Sequence, residues 1–385
     1  MSRQRYDLDR RRFLQQVSGG AATLGVIPWF GFPTEKGREG RRTGFERPAL
    51  PLRLARNESP YGLFSSAVEA MQNSRRKANR YPIQEPIDLE AALAKRFGVT
   101  HEQVMLGCGS IEILKIATDE FTGPSLKPVV AEPTFEAVVA YSPPHRTTPV
   151  KVPVTAEFRH DLGRMSAAAS EGAGLVFLCN PGNPTGTIAD RGEVEQFIRR
   201  VPENVVILAD EAYAEYVDHP TYESCLRYIH EGRQNVIVSR TFSKIFGMAG
   251  MRLGYVIGPK TLVERMRPHR LWNNANQLAI AAATVSIGDE EAILRVRRLN
   301  REVRTGVCEQ INRMGLAFIP SETNFVTINV GKPSEVVIQQ LRDRGILVGR
   351  PFASLSHHVR VSLGTAPEME LFFQNFKEVL REKAS

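Results

Sequence analysis

Ser239-Arg240-Thr241-Phe242-Ser243-Lys244-Ile245-Phe246-Gly247-Met248-Ala249-Gly250-Met251-Arg252-Leu253-Gly254-Tyr255 follows an apolar run, Val236 to Val238, that reads as a buried strand. Thr241, Ser243 and Lys244 sit together at the strand's end, and two small-residue turns lead from them to Arg252. A lysine amine forms Schiff bases with carbonyl compounds. Hydroxyls and an arginine fork suit a dianionic phosphate. An aldehyde with a phosphate tail needs both in one place, which describes pyridoxal phosphate (PLP). A lone lysine would be read as a solvated surface residue. The spacing here, and the distant partners below, point the other way.

The segment resembles the PLP-lysine signature of class I/II aminotransferases, above all the histidinol-phosphate aminotransferase-like branch. The matching pattern is S-x-[ST]-x-S-K, small residues, then Arg eight positions after the lysine. The resemblance implies that Lys244 carries the internal aldimine and that Thr241, Ser243 and Arg252 hold the phosphate.

The chain has 385 residues, enough for two domains or for one large domain with a lobe. Its hydrophobic content of 42% and charged content of 24% are ordinary for a globular protein. The net charge of +8 invites a nucleic-acid reading, but residues 1–47 hold ten Lys/Arg against five Asp/Glu, so +5 of it lies there. The remaining +3 suits an anionic substrate and does not predict a nucleic-acid partner. Cys108, Cys179, Cys225 and Cys308 are far apart, with neither metal-ligand spacing nor a disulfide framework, so reduced thiols and no metal are expected.

The first residues read as an address. Asp9-Arg10-Arg11-Arg12-Phe13-Leu14-Gln15 resembles the twin-arginine export signal, and a mildly apolar Gly/Ala-rich run from Val17 to Phe32 follows. That run is too short and too interrupted by Gly and Pro for a stable membrane span. Residues 1–33 are expected to be an export leader that takes the folded protein to the periplasm. Without export the protein is cytoplasmic. Residues 34–50, rich in Gly, Arg, Glu and Pro, read as a linker.

Residues 51–83 read as an N-terminal arm on the small-domain side. Asn57-Glu58-Ser59-Pro60-Tyr61-Gly62 resembles the family's N-E-N-P-x-G element, which lies at the mouth of the active site and implies a substrate contact for Asn57. Arg80-Tyr81-Pro82 resembles its R-Y-P, in which the tyrosine reaches the phosphate of the neighbouring subunit's cofactor. That role would fall to Tyr81.

From residue 84 helices and strands alternate. Val104 to Leu106 reads as a strand, Gly107-Cys108-Gly109-Ser110 as a turn, and Ile111 to Phe121 as a helix. Strand, Gly-rich turn and helix present free backbone N–H groups to an anion, so Gly109 and Ser110 are candidates for a phosphate cradle. Further buried strands are read at Pro128–Ala131, Leu175–Leu178 and Val205–Leu208. Phe135 follows the first of these, and the resemblance implies that it stacks on the pyridine ring. Asn180-Pro181-Gly182-Asn183-Pro184-Thr185-Gly186 meets the family's N-P-x-N-P-T-G in full, implying that Asn183 binds the cofactor's phenolic oxygen. Asp210-Glu211-Ala212-Tyr213 matches its D-E-A-Y. A carboxylate is needed against the pyridine nitrogen to keep it protonated, and Asp210 fits that role. Tyr213 would share the phenolic oxygen with Asn183. Asp210 precedes Lys244 by 34 residues, one β-α-β crossover, so both can face one ring.

Beyond Ile257 a largely helical stretch is expected through Met314, including Arg265 to Asn273 and Glu290 to Cys308. Alternating runs at Phe325–Val330 and His358–Leu363, with helices near 334–344 and 368–382, suggest a small α+β lobe. Arg360-Val361-Ser362-Leu363-Gly364-Thr365 resembles the family strand whose arginine binds the substrate α-carboxylate. Arg350 is a second candidate anion contact.

The expected fold is thus α/β, the PLP-dependent transferase fold type I. It has a large α/β/α domain over 84–285 and a smaller α+β domain over 286–385. The resemblance implies a homodimeric aminotransferase that passes an amino group between an amino acid, or a histidinol-phosphate-like amine, and a 2-oxo acid. A decarboxylase or an amino-acid oxidase on the same scaffold would keep every residue named.

Overall fold

The computed structural model describes residues 51–381. The export leader and the linker read from the sequence lie outside them. Seven strands form the central sheet: β2 (Val104–Gly107), β3 (Lys127–Glu132), β4 (Val150–Pro153), β5 (Ala173–Cys179), β6 (Val206–Asp210), β7 (Val236–Thr241) and β8 (Gly254–Ile257). Their order is β2-β8-β7-β6-β5-β3-β4. All pairings are parallel except those of β8, which runs against both its neighbours.

β2, β3, β5, β6 and β7 were legible as apolar runs because helices cover both faces of the sheet, whereas β4, at the sheet edge with Lys151 exposed in it, was not read from the sequence. In β5, Val176 and Leu178 face one core with Ile207, Ala209, Val236 and Val238. Leu175, Phe177 and Cys179 face the other with Leu208 and Ile237. The helix Ser110–Phe121 begins one residue before the Ile111 at which the pattern put it.

A second set of strands is built from both ends of the described chain. β1 (Leu52–Leu54) pairs in parallel with β11 (Ile346–Val348). Strands β9 (Phe318–Ile319), β10 (Phe325–Asn329) and β12 (His358–Ser362) form an antiparallel sheet with β10 in the centre. Leu54 joins Val326, Val348, Phe372 and Phe376 in a third core. Residues 57–63 then cross to the large sheet, where Phe64 packs its ring 5.8 Å from that of Phe246. The crossing depends on a glycine. Gly247 has φ 69°, and a Cβ there would lie 1.8 Å from the Gly62 carbonyl oxygen.

One stretch differs from the sequence reading. Arg265 to Asn273 is not a continuous helix. The helix Lys260–Met266 tightens into a 3₁₀ turn at Arg267–His269, and helix resumes only at Gln277. Pro268 lacks an N–H for an α-helical bond, and Asn273 has φ 53°. Arg267 and Arg270 instead turn towards the buried Glu90 carboxylate, at 3.7 and 3.4 Å. The 24-residue helix Glu290–Arg313 follows as expected.

Candidate active site

The register of the central sheet brings the motifs to one edge. Asp210 is aligned with Cys179 on β5 and with Ser239 on β7. Gly254 of β8 lies opposite both Thr241 and Gly107. The carboxyl ends of the parallel strands therefore open into a single cleft, the usual ligand position in such sheets.

Asp210 is 3% exposed, and its Oδ1 has no hydrogen-bond partner among the described residues. Burial pushes its carboxyl up to about 7, against the opposing pull of Lys244 and the Ala212 amide. An orphaned carboxylate oxygen at this depth is costly unless a donor meets it. Lys244 is the complementary group. Its Nζ donates to the carbonyls of Arg56 and Asn57, each at 3.2 Å, and lies 5.5 Å from the centre of the Tyr213 ring. Burial and the Arg360 charge push the amine down to about 8, while Glu58 and Asp210 oppose them.

The Tyr213 hydroxyl accepts from Asn57 Nδ2 at 2.9 Å and from Asn183 Nδ2 at 3.2 Å. Asn183 Oδ1 in turn accepts from Arg360 Nη1 at 2.6 Å, and Arg360 Nη2 donates to the Ala55 carbonyl at 2.9 Å. Burial, with some help from Arg350, brings Arg360 down to about 10, although Tyr213 and Glu136 resist. Its Nε has no partner among the described residues.

A few residues away is an anion cradle. Gly109, at φ 74°, caps the helix Ser110–Phe121, whose first N–H groups are free of helical bonds. A Cβ on Gly109 would come within 2.3 Å of Arg252 Nη2, and one on Gly254 within 2.3 Å of the Ser110 nitrogen. Only glycine lets these three pieces meet. Arg252 Nη1 reaches Ser243 Oγ at 3.3 Å, and the Ser243 amide donates to Thr241 Oγ1 at 3.1 Å.

A cradle for a phosphate, a lysine amine and an unpaired buried carboxylate oxygen on one strand edge fit PLP. The sequence pattern of the family "Aminotransferase class I and II" matches residues 51–376. A histidinol-phosphate aminotransferase from Moorella thermoacetica is 37% identical over 331 residues, 86% of this chain and 85% of that relative. Histidinol-phosphate aminotransferase 2 from Carboxydothermus hydrogenoformans is 36% identical, over 85% of this chain and 91% of its own. The chain belongs to the class I and II aminotransferases. The solved histidinol-phosphate aminotransferase from Sinorhizobium meliloti, in complex with pyridoxal-5'-phosphate, superposes on this aminotransferase with a TM-score of 0.80. That match has 28% identity and covers 86% of this chain and 91% of the other. The aminotransferase is PLP-dependent, on fold type I.

Within the aminotransferase the sequence-read residues fall into two groups. Thr241, Ser243, Lys244, Arg252, Gly109, Ser110, Asp210, Tyr213, Asn183, Asn57 and Arg360 line or underlie the cleft. Asn57 is turned inward and is 1% exposed, with its amide against Tyr213. Phe135 follows β3 half-buried, packed against the core that includes Leu175 and Phe177. Arg350 lies at the rim, ion-paired with Glu136, with its guanidinium 4.3 Å from the Phe352 ring centre. Arg360 faces the same ring at 5.4 Å. Tyr81 is 78% exposed.

The sequence reading missed the support behind Asp210. Arg240, buried in β7, donates to Glu211 Oε2 at 2.7 Å, Glu215 Oε1 at 3.1 Å and Ser224 Oγ at 3.0 Å. Burial works against its charge, yet the two carboxylates hold its pKa above the ordinary value. Glu211 also accepts from the Cys225 amide at 2.6 Å. The network ties the residue after Asp210 to the residue before Thr241. An arginine inside an apolar strand was the available signal.

The Asp210 shift makes a prediction for the PLP-free protein. The folded state holds this proton more tightly than the unfolded state does. Stability is therefore lost as pH rises from near 4, where the unfolded carboxyl titrates, to about 7 in the fold. Asp210→Asn removes that loss. In urea denaturation the variant should match the parent at pH 4 and exceed it at pH 8 by on the order of 2–4 kcal/mol. An equal gap at both pH values would contradict the assignment.

Proposed function

We propose that this aminotransferase moves an amino group between an amino acid, or a histidinol-phosphate-like amine, and a 2-oxo acid, with Lys244, Asp210 and Tyr213 as the reacting groups. The observation that carries the reading is the meeting of two oppositely shifted groups at neighbouring strand ends: buried Asp210 with an oxygen unpartnered among the described residues, and half-buried Lys244 with a depressed amine. Strongly perturbed pairs of this kind mark reaction centres.

PLP, when bound, supplies a carbonyl for the amine and a ring that accepts the electrons of the deprotonated α-carbon. Thr241, Ser243, Arg252, Gly109 and Ser110 would hold its phosphate, and Asp210 would keep its ring nitrogen protonated. Phe135 would cover one face of the ring. Lys244, whose amine is pushed down to about 8, has a larger neutral fraction than an ordinary lysine and would take the proton from the donor's α-carbon. Arg360 offers an unpartnered Nε in the cleft to a carboxylate or phosphate of the substrate. Arg350 at the rim would meet the far end of the substrate once Glu136 is displaced.

The curated relatives named for histidinol phosphate support that substrate class, since both share over a third of their aligned residues with this chain. The experiment is borohydride reduction of the PLP-loaded protein followed by peptide mapping, with turnover measured on histidinol phosphate and on common amino acids. The label should fall on Lys244 alone, and Lys244→Ala should abolish turnover. A label on another lysine, or release of carbon dioxide or uptake of oxygen in place of amino transfer, would overturn the reading.

The reading includes a homodimer. Trp272 is 94% exposed and Leu271, Tyr81 and Ile83 at least 70%. The two segments that carry them are joined where Gln277 Nε2 reaches Glu85 at 3.4 Å, and Asn274 Nδ2 bonds Glu112 beside the phosphate cradle at 2.6 Å. Apolar exposure of this kind supports a protein interface. Sedimentation should find a dimer, and Trp272→Glu should weaken it and lower PLP affinity. A monomer with full activity would refute the dimer.

Export through the twin-arginine route is the last element of the proposal, resting on Arg10-Arg11-Arg12-Phe13-Leu14. Changing Arg10 and Arg11 to Lys keeps charge but removes the guanidinium forks. The double variant should remain in the cytoplasm, folded and PLP-loaded, while the parent reaches the periplasm. Equal distribution of both forms would refute the assignment.

A further inference from the structure

The Tyr213 hydroxyl has two lone pairs and one hydrogen. Both lone pairs face amide nitrogens, Asn57 Nδ2 at 2.9 Å and Asn183 Nδ2 at 3.2 Å. Amide orientations are normally a matter of assignment, but here the neighbours fix them. Arg360 can only donate, so the Asn183 atom 2.6 Å from its Nη1 is the oxygen, and the nitrogen is left for Tyr213.

Asn57 is fixed by a closed ring with Ser362. The Asn57 backbone N–H donates to Ser362 Oγ at 2.8 Å, and Ser362 Oγ donates back to Asn57 Oδ1 at 3.0 Å. Ser362 is 2% exposed. A flipped Asn57 amide would leave its buried hydrogen without an acceptor, a costly state. The Asn57 nitrogen must therefore point at Tyr213. With both lone pairs filled, the phenol's own hydrogen has to go elsewhere, and no acceptor for it occurs among the described residues.

We infer that Ser362 and Asn57 are a positioning pair which directs the Tyr213 hydrogen into the cleft, at the phenolic oxygen of bound PLP. The inference rests on the PLP reading above and deepens it. Neither residue needs to touch a reacting atom. Ser362 lies two residues beyond Arg360 on β12, so both side chains leave the strand on one face. The strand that bears the anion-binding arginine thus also locks the arm. Asn57 is further held by Asn324 Nδ2 on its carbonyl at 3.0 Å, in a left-handed conformation of φ 53°.

A hydrogen given to the phenolic oxygen stabilises negative charge there. That lowers the affinity of the neighbouring imine nitrogen for its proton. The other charged groups facing Lys244 are Arg360 on β12, Glu58 on the arm, Asp210 on β6 and Arg252 after β7. None of them changes in the variants below.

The test is a pH titration of the visible absorbance of the PLP-loaded protein and of Ser362→Ala, Ser362→Thr and Asn57→Gly. Glycine is used at 57 because it accepts the left-handed φ. The midpoint should rise by about half a unit to one unit in Ser362→Ala and Asn57→Gly, the worth of one hydrogen bond. Ser362→Thr, which keeps the hydroxyl, should return it towards the parent value. If Ser362→Ala does not fold, Asn57→Gly and Ser362→Thr decide the matter. An unmoved midpoint in PLP-loaded Asn57→Gly overturns the inference, even if kcat falls. A parent protein with no pH-dependent transition overturns the PLP reading itself, and this inference with it.

Discussion

The rest of the structure answers to one buried carboxylate. Asp210 ends β6 with an oxygen that none of the described residues satisfies, and burial pushes its carboxyl up to about 7. It stays in place because everything around it is already committed. Its neighbour Glu211 is claimed by Arg240, Ser224 and the Cys225 amide. Its strand is paired on both sides, to β5 and β7. A site with an unmet demand, held rigidly, prefers the ligand that meets it over any rearrangement of its own. A protonated ring nitrogen is the donor proposed for this one.

Charge is distributed to the same end. Lys244 shares its cleft with Arg360 and Arg252, which favours the neutral amine needed for attack on a carbonyl. The compensating carboxylates, Glu58 and Asp210, moderate the shift without cancelling it. The proposed anion sites are two separate places, the Gly109–Arg252 cradle and the Arg360–Arg350 rim, so on this proposal a cofactor phosphate and a substrate anion would not compete. Close approach at the first depends on Gly109 and Gly254, where any side chain would collide with the cradle.

Much of this was written in local sequence. The central strands were visible because burial on both faces leaves no polar alternation, as in Leu175 to Leu178. The residues at their ends were visible because strand-end motifs are short and contiguous. What local sequence could not hold were arrangements made across distance. The Asn57–Ser362 ring joins residues 305 apart, and an isolated serine in a strand gives no sign of it. Arg265 to Asn273 had helical spacing, but Glu90, far upstream, draws Arg267 and Arg270 out of that path. The motif around Arg240 shows no partner for it, since Glu211 and Glu215 become its neighbours only through the pairing of β6 with β7.

The central claim is that Asp210 and Lys244 address two ends of one PLP ring. It is tested most directly by nitrogen-15 NMR of the protein loaded with PLP labelled at the ring nitrogen. The account predicts a protonated ring nitrogen across the pH range in which the protein is folded, lost when Asp210 is replaced by Ala. An unprotonated ring nitrogen at neutral pH in the native protein would contradict it.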